Sequence, residues 1–425
     1  MPLRVVRSLE PVRNTFKERG YSLLPHQEDA VRWMSNREET KIKGGILADE
    51  MGVGKTIETI ALLKFNPVLY TLIIVPASLI NQWVKELDKF TSGLNISIHN
   101  FNKKINPINI VITSFVKSTY SHLMNFRWGR VVIDEAHIIR NPKGKVYKNI
   151  CRLQSNIKWC LTGTPIQNYL SDIKSLFRFI GIKKDMDLKK TIRKYLFRRT
   201  KEDVNIKLCG YEHTDHIIEF ESLYEKQLYN KVRDNIYEKI DISYLEIILR
   251  LRQASILPQL VIDGYNKKKK IKESIKWKYK NSKIAMIVRT LIEKPEEKPV
   301  VFCYFNREIE YLSEKLDENN IPFRVIRGSV GMDERQKLIS DADIYRVLVV
   351  QIMAGSMGLN LQKFNSVYFS GPHWNPTHEQ QAIARVYRMG QKQPVTVRRF
   401  ILKNTIEELI IQIQSNKLDM IKELL

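Results

Sequence analysis

Along the first 165 positions, short uninterrupted apolar runs alternate with stretches in which apolar residues recur every three or four positions. The runs at 46–48, 72–75, 110–112, 131–133 and 159–161 have no polar position inside them, as strands covered on both faces require. Between the runs, Ala30, Val31 and Met34, then Ile57, Ile60 and Ala61, then Trp83, Leu87 and Phe90 fall at helical spacing. This alternation predicts an α/β domain built on a parallel sheet. From 166 to about 265 the strand rhythm stops. Charged amphipathic patterns replace it (Leu223, Leu228, Tyr229, Val232; Leu245, Ile248, Leu251) and predict a helical insertion. The rhythm returns with strands at 300–302, 323–326, 347–350 and 367–369 and a helix marked by Ile309, Leu312 and Leu316. A last helix starts at Thr405 and carries Ile406, Ile410, Ile413, Ile421 and Leu424 on one side.

These patterns divide the chain into a first α/β lobe (1–205), a helical protrusion (206–265), a basic linker (266–281), a second α/β lobe (282–404) and a terminal helix (405–425). The linker holds the run from Asn266 to Lys280. A solvated connection, a nucleic-acid contact and a nuclear-import signal all fit it, and the position between two lobes favours the first.

One stretch carries chemistry on its face. Residues 44–58 read GGILADEMGVGKTIE, a strand running through a glycine turn into a helix. Gly52 and Gly54 permit a tight turn whose N–H groups converge on oxyanions, beside the positive end of the helix dipole. Lys55 is placed to reach β- and γ-phosphates, and the Thr56 hydroxyl to ligate Mg²⁺. Asp49 stands where the strict G-x-x-x-x-G-K-[ST] pattern has glycine. The expected nucleotide contacts are Asp49, Glu50, Met51, Gly52, Val53, Gly54, Lys55 and Thr56, with Gln27 upstream offering an amide to an adenine edge.

The run at 131–133 ends in Asp134-Glu135-Ala136-His137. Two acids at a strand end sit at the carboxyl edge of a parallel sheet, beside any phosphate held by the cradle. Asp134 is expected to hold Mg²⁺ through its waters, and Glu135 to orient and deprotonate the attacking water. The run at 159–161 leads to Thr162-Gly163-Thr164-Pro165, which reads equally as a plain turn or as hydroxyls that sense the phosphate.

Composition narrows the partner. The 425 residues carry a formal charge of +24 and a pI near 9.7, so a polyanion is the first candidate. Cys151, Cys160, Cys209 and Cys303 are scattered without C-x-x-C spacing, which suggests neither a zinc site nor a disulfide framework and fits an intracellular reducing compartment. No run is long enough to span a membrane.

The series DEMGVGKT (49–56), DEAH (134–137), LTGTPIQN (161–168), LFRRTKEDV (196–204), LRLRQASILPQL (249–260), GLNL (358–361), WNP (374–376) and QQAIARVYRMGQ (380–391) resembles the Swi/Snf-type motor ATPases of helicase superfamily two. The order and spacing cover nearly the whole chain, and that family itself carries DEMG cradles. The resemblance implies two tandem RecA-like lobes, a protrusion, and a terminal brace helix that returns to the first lobe. It implies ATP and Mg²⁺ as cofactors, and Gly358 as a further nucleotide contact. It makes Arg385 and Arg388, three apart on one helix face, arginine fingers directed at the γ-phosphate. It places duplex contacts at Pro76, Ser78, Thr113, Ser114, Asn360 and Trp374, although Trp374 reads equally as a core residue. The implied activity is ATP-dependent translocation on double-stranded DNA without base specificity or strand separation, by a monomeric motor whose protein partners supply targeting. The alternative is an RNA helicase of the DEAH type, against which the RMGQ ending at 388–391 stands.

Overall fold

Each of the uninterrupted apolar runs forms a strand, and every strand pair among the described residues is parallel. The structure is a computed structural model that describes residues 8–91, 94–99, 109–167, 169–182, 187–206, 208–237, 244–269, 276–355 and 359–424. Gly358 lies outside these residues. The chain divides into two units, Met1–Lys207 with Ile421–Leu425, and Leu208–Met420.

The first unit holds seven strands: β1 (Gly44–Leu47), β2 (Tyr70–Val75), β3 (Asn95–Ile98), β4 (Asn109–Ser114), β5 (Arg127–Ile133), β6 (Gln154–Leu161) and β7 (Leu196–Phe197). Their order is β3-β4-β2-β5-β6-β1-β7. The central strands are buried on both faces, which explains their unbroken apolar sequence. Ile60, Leu63, Trp83, Leu87 and Phe90 from the crossover helices join Ile73, Val75, Ile112 and Trp159 in one core. One buried charge pair supports it. Arg130 in β5 donates to both Glu38 oxygens at 2.7 and 2.6 Å, and Glu38 also accepts from Trp159 Nε1 at 2.8 Å.

The second unit holds six: β8 (Tyr211–Ile218), β9 (Pro299–Cys303), β10 (Phe323–Ile326), β11 (Val347–Gln351), β12 (Ser366–Phe369) and β13 (Val395–Leu402), in the order β10-β11-β9-β12-β13-β8. Two of these correct the sequence reading. The segment expected to open the helical protrusion at 206 instead supplies β8, paired with β13 over eight residues. β8 is a largely exposed edge strand, and its polar sequence YEHTDHII hides the usual strand signal. β13 carries adjacent arginines in a mostly buried strand. Arg398 is neutralised by Glu297, and Arg399 by Asp215 and Glu379.

Three helices, Leu223–Tyr237, Tyr244–Ile256 and Pro258–Lys269, follow β8, so the helical insertion exists but starts later than expected. The last of them takes in 266–269, the first residues of the expected linker. Residues 270–275 lie outside the described set. Beyond them Trp277 N–H donates to Gln259 Oε1 at 2.5 Å, and Tyr279 stacks on Tyr224 with ring centroids 4.0 Å apart. This end of the basic run therefore packs on the insertion. The helix Ile406–Leu424 is anchored within the second unit through its first half, by a fully buried Lys283–Glu407 ion pair and by Gln414 on Glu379 at 2.9 Å. No helix among the described residues is long and apolar enough to cross a membrane.

Candidate nucleotide site

The carboxyl ends of β1, β6 and β5 lie side by side, because Leu47 is in register with Leu161 and Ile133 with Cys160. The residues that follow are therefore neighbours: Ala48 and the cradle, Thr162, and Asp134. One strand separates the cradle strand from the acid strand, so the two strand ends are about 10 Å apart.

The cradle turns on glycine. Gly54 has φ +131°, and a Cβ there would stand 2.5 Å from Gln27 Nε2. Gly163, after β6, leaves room for Met51, whose Cγ would lie 2.7 Å from an added Cβ. Lys55 opens the helix Lys55–Phe65, with Thr56 next to it. Its ammonium donates to the carbonyls of Asp49 at 2.6 Å and Glu50 at 3.3 Å. Burial pulls the Lys55 pKa down, while Glu135 and then Asp134 support its charge, which places all three groups in one field. Val53 is buried, and its carbonyl accepts from Gln27 Nε2 at 3.5 Å and lies 3.2 Å from His26 Nε2. Gln27 Oε1 also accepts from Leu24 N–H at 3.0 Å, so the amide expected to meet adenine buttresses the cradle here.

Asp134 is held at both oxygens. Oδ1 accepts from Glu135 N–H and Oδ2 from Trp83 Nε1, each at 2.8 Å. Burial and the neighbouring Glu135 push its carboxyl up to about 6. Glu135 adopts φ +50° and ψ +48°, a left-handed conformation uncommon outside glycine. That turn interrupts the strand alternation which would send successive carboxylates to opposite faces. Glu135 Oε2 lies 3.3 Å from His137 Nδ1, which in turn lies 3.5 Å from Thr162 Oγ1. The chain Glu135–His137–Thr162 gives the threonine turn a physical route to the acid.

The residues after β7 form a clamp whose roles sequence reasoning missed, although it quoted the stretch. Arg198 Nη1 donates to the carbonyls of Ala48 and Gly163, both at 3.1 Å, tying the cradle strand to the threonine turn. Arg199 donates to Asp49, to Glu58 and to the His26 carbonyl. Lys201 pairs with Glu50 at 3.4 Å. The Asp49 and Glu50 side chains face this clamp, and only their backbone belongs to the cradle. The Asp49 carboxylate, at the position where the strict pattern has glycine, is taken up by the partly buried Arg199.

The donor set fits Mg²⁺ with nucleotide. Among the described residues no group of three or more His, Cys, Asp or Glu could cage a metal alone. One carboxylate with one hydroxyl suits a cation that keeps waters and borrows phosphate oxygens, and Asp134 and Thr56 are the residues that would hold it.

The expected nucleic-acid contacts are mixed. Pro76 and Ser78 follow β2, three strand positions or about 14 Å from the cradle strand on the same sheet edge. Thr113 is corrected: it is fully buried within β4, with its hydroxyl 3.1 Å from His99 Nδ1. Ser114 ends that strand, only 6% exposed, and its hydroxyl accepts from Lys117 N–H at 3.2 Å. In the second unit Asn360 is exposed, and Trp374 is half-buried, with its carbonyl accepting from Lys417 at 3.1 Å. Arg385 and Arg388 do not share a helix face. The helix Pro376–Val386 ends before Arg388, which lies in the bend beyond, and Gln391 Nε2 donates to the Val386 carbonyl at 3.2 Å.

Residues 26–187 match the SNF2-related domain and residues 261–390 the helicase conserved C-terminal domain. An uncharacterized ATP-dependent helicase of Mycoplasma pneumoniae is 32% identical over 450 residues, which span 95% of this chain and 42% of that protein. A probable global transactivator of Orgyia pseudotsugata multicapsid polyhedrosis virus is 27% identical over 454 residues, spanning 95% of this chain and 91% of that one. The Sulfolobus solfataricus SWI2/SNF2 ATPase core, solved in complex with dsDNA, is 26% identical, and covers 95% of this chain and 93% of that chain with a TM-score of 0.43. The chain therefore spans less than half of the mycoplasmal relative and most of the viral one.

Proposed function

The chain belongs to the SNF2-related helicase family, and on that premise we propose that it is an ATP hydrolase driven by double-stranded DNA, which it tracks through backbone phosphates. The observation that carries this reading is the shared carboxyl edge of β1, β6 and β5, which gathers Lys55, Thr56, Asp134 and Glu135. The cradle amides and Lys55 bind and orient the triphosphate. Mg²⁺, when bound at Thr56 and Asp134, spreads the charge that builds on the β- and γ-oxygens. Glu135 orients a water and accepts its proton as the new bond to the γ-phosphorus forms and the bond to the ADP oxygen breaks. The strained backbone at Glu135 holds that carboxylate in place, and His137 lies against it.

Grip on DNA through strand-end turns such as 76–78 carries little sequence information, so movement without base specificity follows. The duplex passes without strand separation, the motor acts as a monomer, and protein partners choose the substrate. The deciding experiment is the rate of phosphate release with duplex DNA, single-stranded DNA and RNA. Stimulation by duplex supports the proposal; stimulation by RNA alone replaces it with an RNA helicase.

A further inference from the structure

Trp83 is 2% exposed and sits in the first turn of the helix Ile80–Phe90, yet its indole N–H is bonded to the acid assigned to the cation, 51 positions away. A buried indole needs some acceptor, and a backbone carbonyl would serve as well. Here it takes a carboxylate, and a hydrogen bond to a charged group is worth roughly twice a neutral one.

The helix continues directly from the turn at 76–78. Within that turn the Ser78 hydroxyl is closed to solvent and has no hydrogen-bond partner among the described residues. An unsatisfied buried hydroxyl is unfavourable, and a phosphate oxygen would satisfy it. Because the oxygen is closed, a ligand reaches it only if the turn shifts. Trp83 lies about 8 Å further along the same helix axis, joined to the turn by continuous helical backbone that carries a shift of the turn to the indole.

We propose that Trp83 is a positioning residue that ties phosphate contact at Ser78 to the setting of the Asp134 carboxylate. The inference rests on the reading that the 76–78 turn grips DNA. Contact at Ser78 moves the start of the helix, the indole N–H moves with it, and Asp134 Oδ2 follows. Asp134 then presents its free lone pairs to the cation in the geometry that turnover needs. Stimulation by nucleic acid is on this account a local mechanical link inside one unit.

The test uses the full chain, a 30-base-pair duplex, and the substitutions Trp83→Phe, Trp83→His, Ser78→Ala and the Trp83→Phe/Ser78→Ala pair. Duplex affinity, basal and stimulated phosphate release, and binding of Mn²⁺ with ADP are measured on each. Trp83→Phe keeps the packing and loses the N–H. It should bind duplex as wild type does, lose about tenfold in stimulation, and bind Mn²⁺ with ADP several-fold more weakly. Trp83→His, which retains a ring N–H, should recover part of the loss. Adding Ser78→Ala to Trp83→Phe should change stimulation no further, since the two act on one link. Stimulation of Trp83→Phe equal to wild type overturns the inference, as do losses in the two single variants that simply multiply. A wild-type protein stimulated by no nucleic acid overturns the proposed function instead, and this inference with it.

Discussion

Arg199 and Glu58 stand 2.9 Å apart, the guanidinium donating into a carboxylate that is fully buried in the first turns of the cradle helix. The same guanidinium also holds Asp49, and burial together with Asp49 pushes the Glu58 carboxyl up to about 8. Two acids share one base in a closed space. Arg199→Met takes the counter-charge from Asp49 and the donor from Glu58, so denaturant unfolding of the first unit should show a loss of about 3–5 kcal/mol. Arg199→Met/Asp49→Asn, which removes the stranded charge, should recover a measurable part of it.

Lys55→Ala removes the ammonium that donates to the cradle carbonyls of Asp49 and Glu50. Phosphate release should fall below detection while the urea unfolding profile stays close to wild type. Residual turnover at the wild-type rate would mean that the triphosphate sits elsewhere.

His373 supplies a pH dependence unrelated to the nucleotide site. Its Nδ1 lies 3.0 Å from the Asn375 nitrogen and 3.1 Å from the Asn375 carbonyl oxygen, inside a largely buried setting. Burial, with His378 and Arg252 nearby, pushes its pKa down to about 3. The unfolded chain takes a proton near the ordinary histidine value of about 6.5, and the folded chain refuses it until far lower pH. Stability from the neutral ring is therefore complete above about pH 6.5 and is lost progressively as pH falls towards 3. Urea unfolding of wild type and His373→Asn at pH 7 and pH 5 should show the wild type losing about 2 kcal/mol more than the variant.

Affinity for duplex DNA should drop steeply with salt, by roughly one power of concentration for each phosphate contact. A filter or anisotropy titration from low to moderate salt measures the slope directly. A flat response would remove the +24 surface from the account of binding.

The cradle and its acids were readable because each is a contiguous motif at the end of an apolar run, and parallel topology forces such ends to one edge. Long-range partners were not. Trp83 carries no mark that it meets Asp134, and Glu58 looked like any helical glutamate until Arg199 arrived from 141 positions away. The expected arginine face fails for a local reason, since the helix ends at Val386, before Arg388, and residue spacing does not mark that end. β8 and β13 escaped notice because apolar patterning finds buried strands by their lack of charge. In β13 burial is achieved by matching each arginine with an acid instead.

That matching has a practical side for anyone dividing the protein. Asp215 in β8 and Glu379 flank Arg399, while His216 of β8 stands 3.2 Å from Arg398. A gene fragment begun near 282, just past the basic segment, would strip this edge strand away, take Asp215 from Arg399 and leave the backbone edge of β13 unpaired. Such a fragment should emerge sticky and poorly soluble, whereas one begun upstream of Tyr211 carries its own seal.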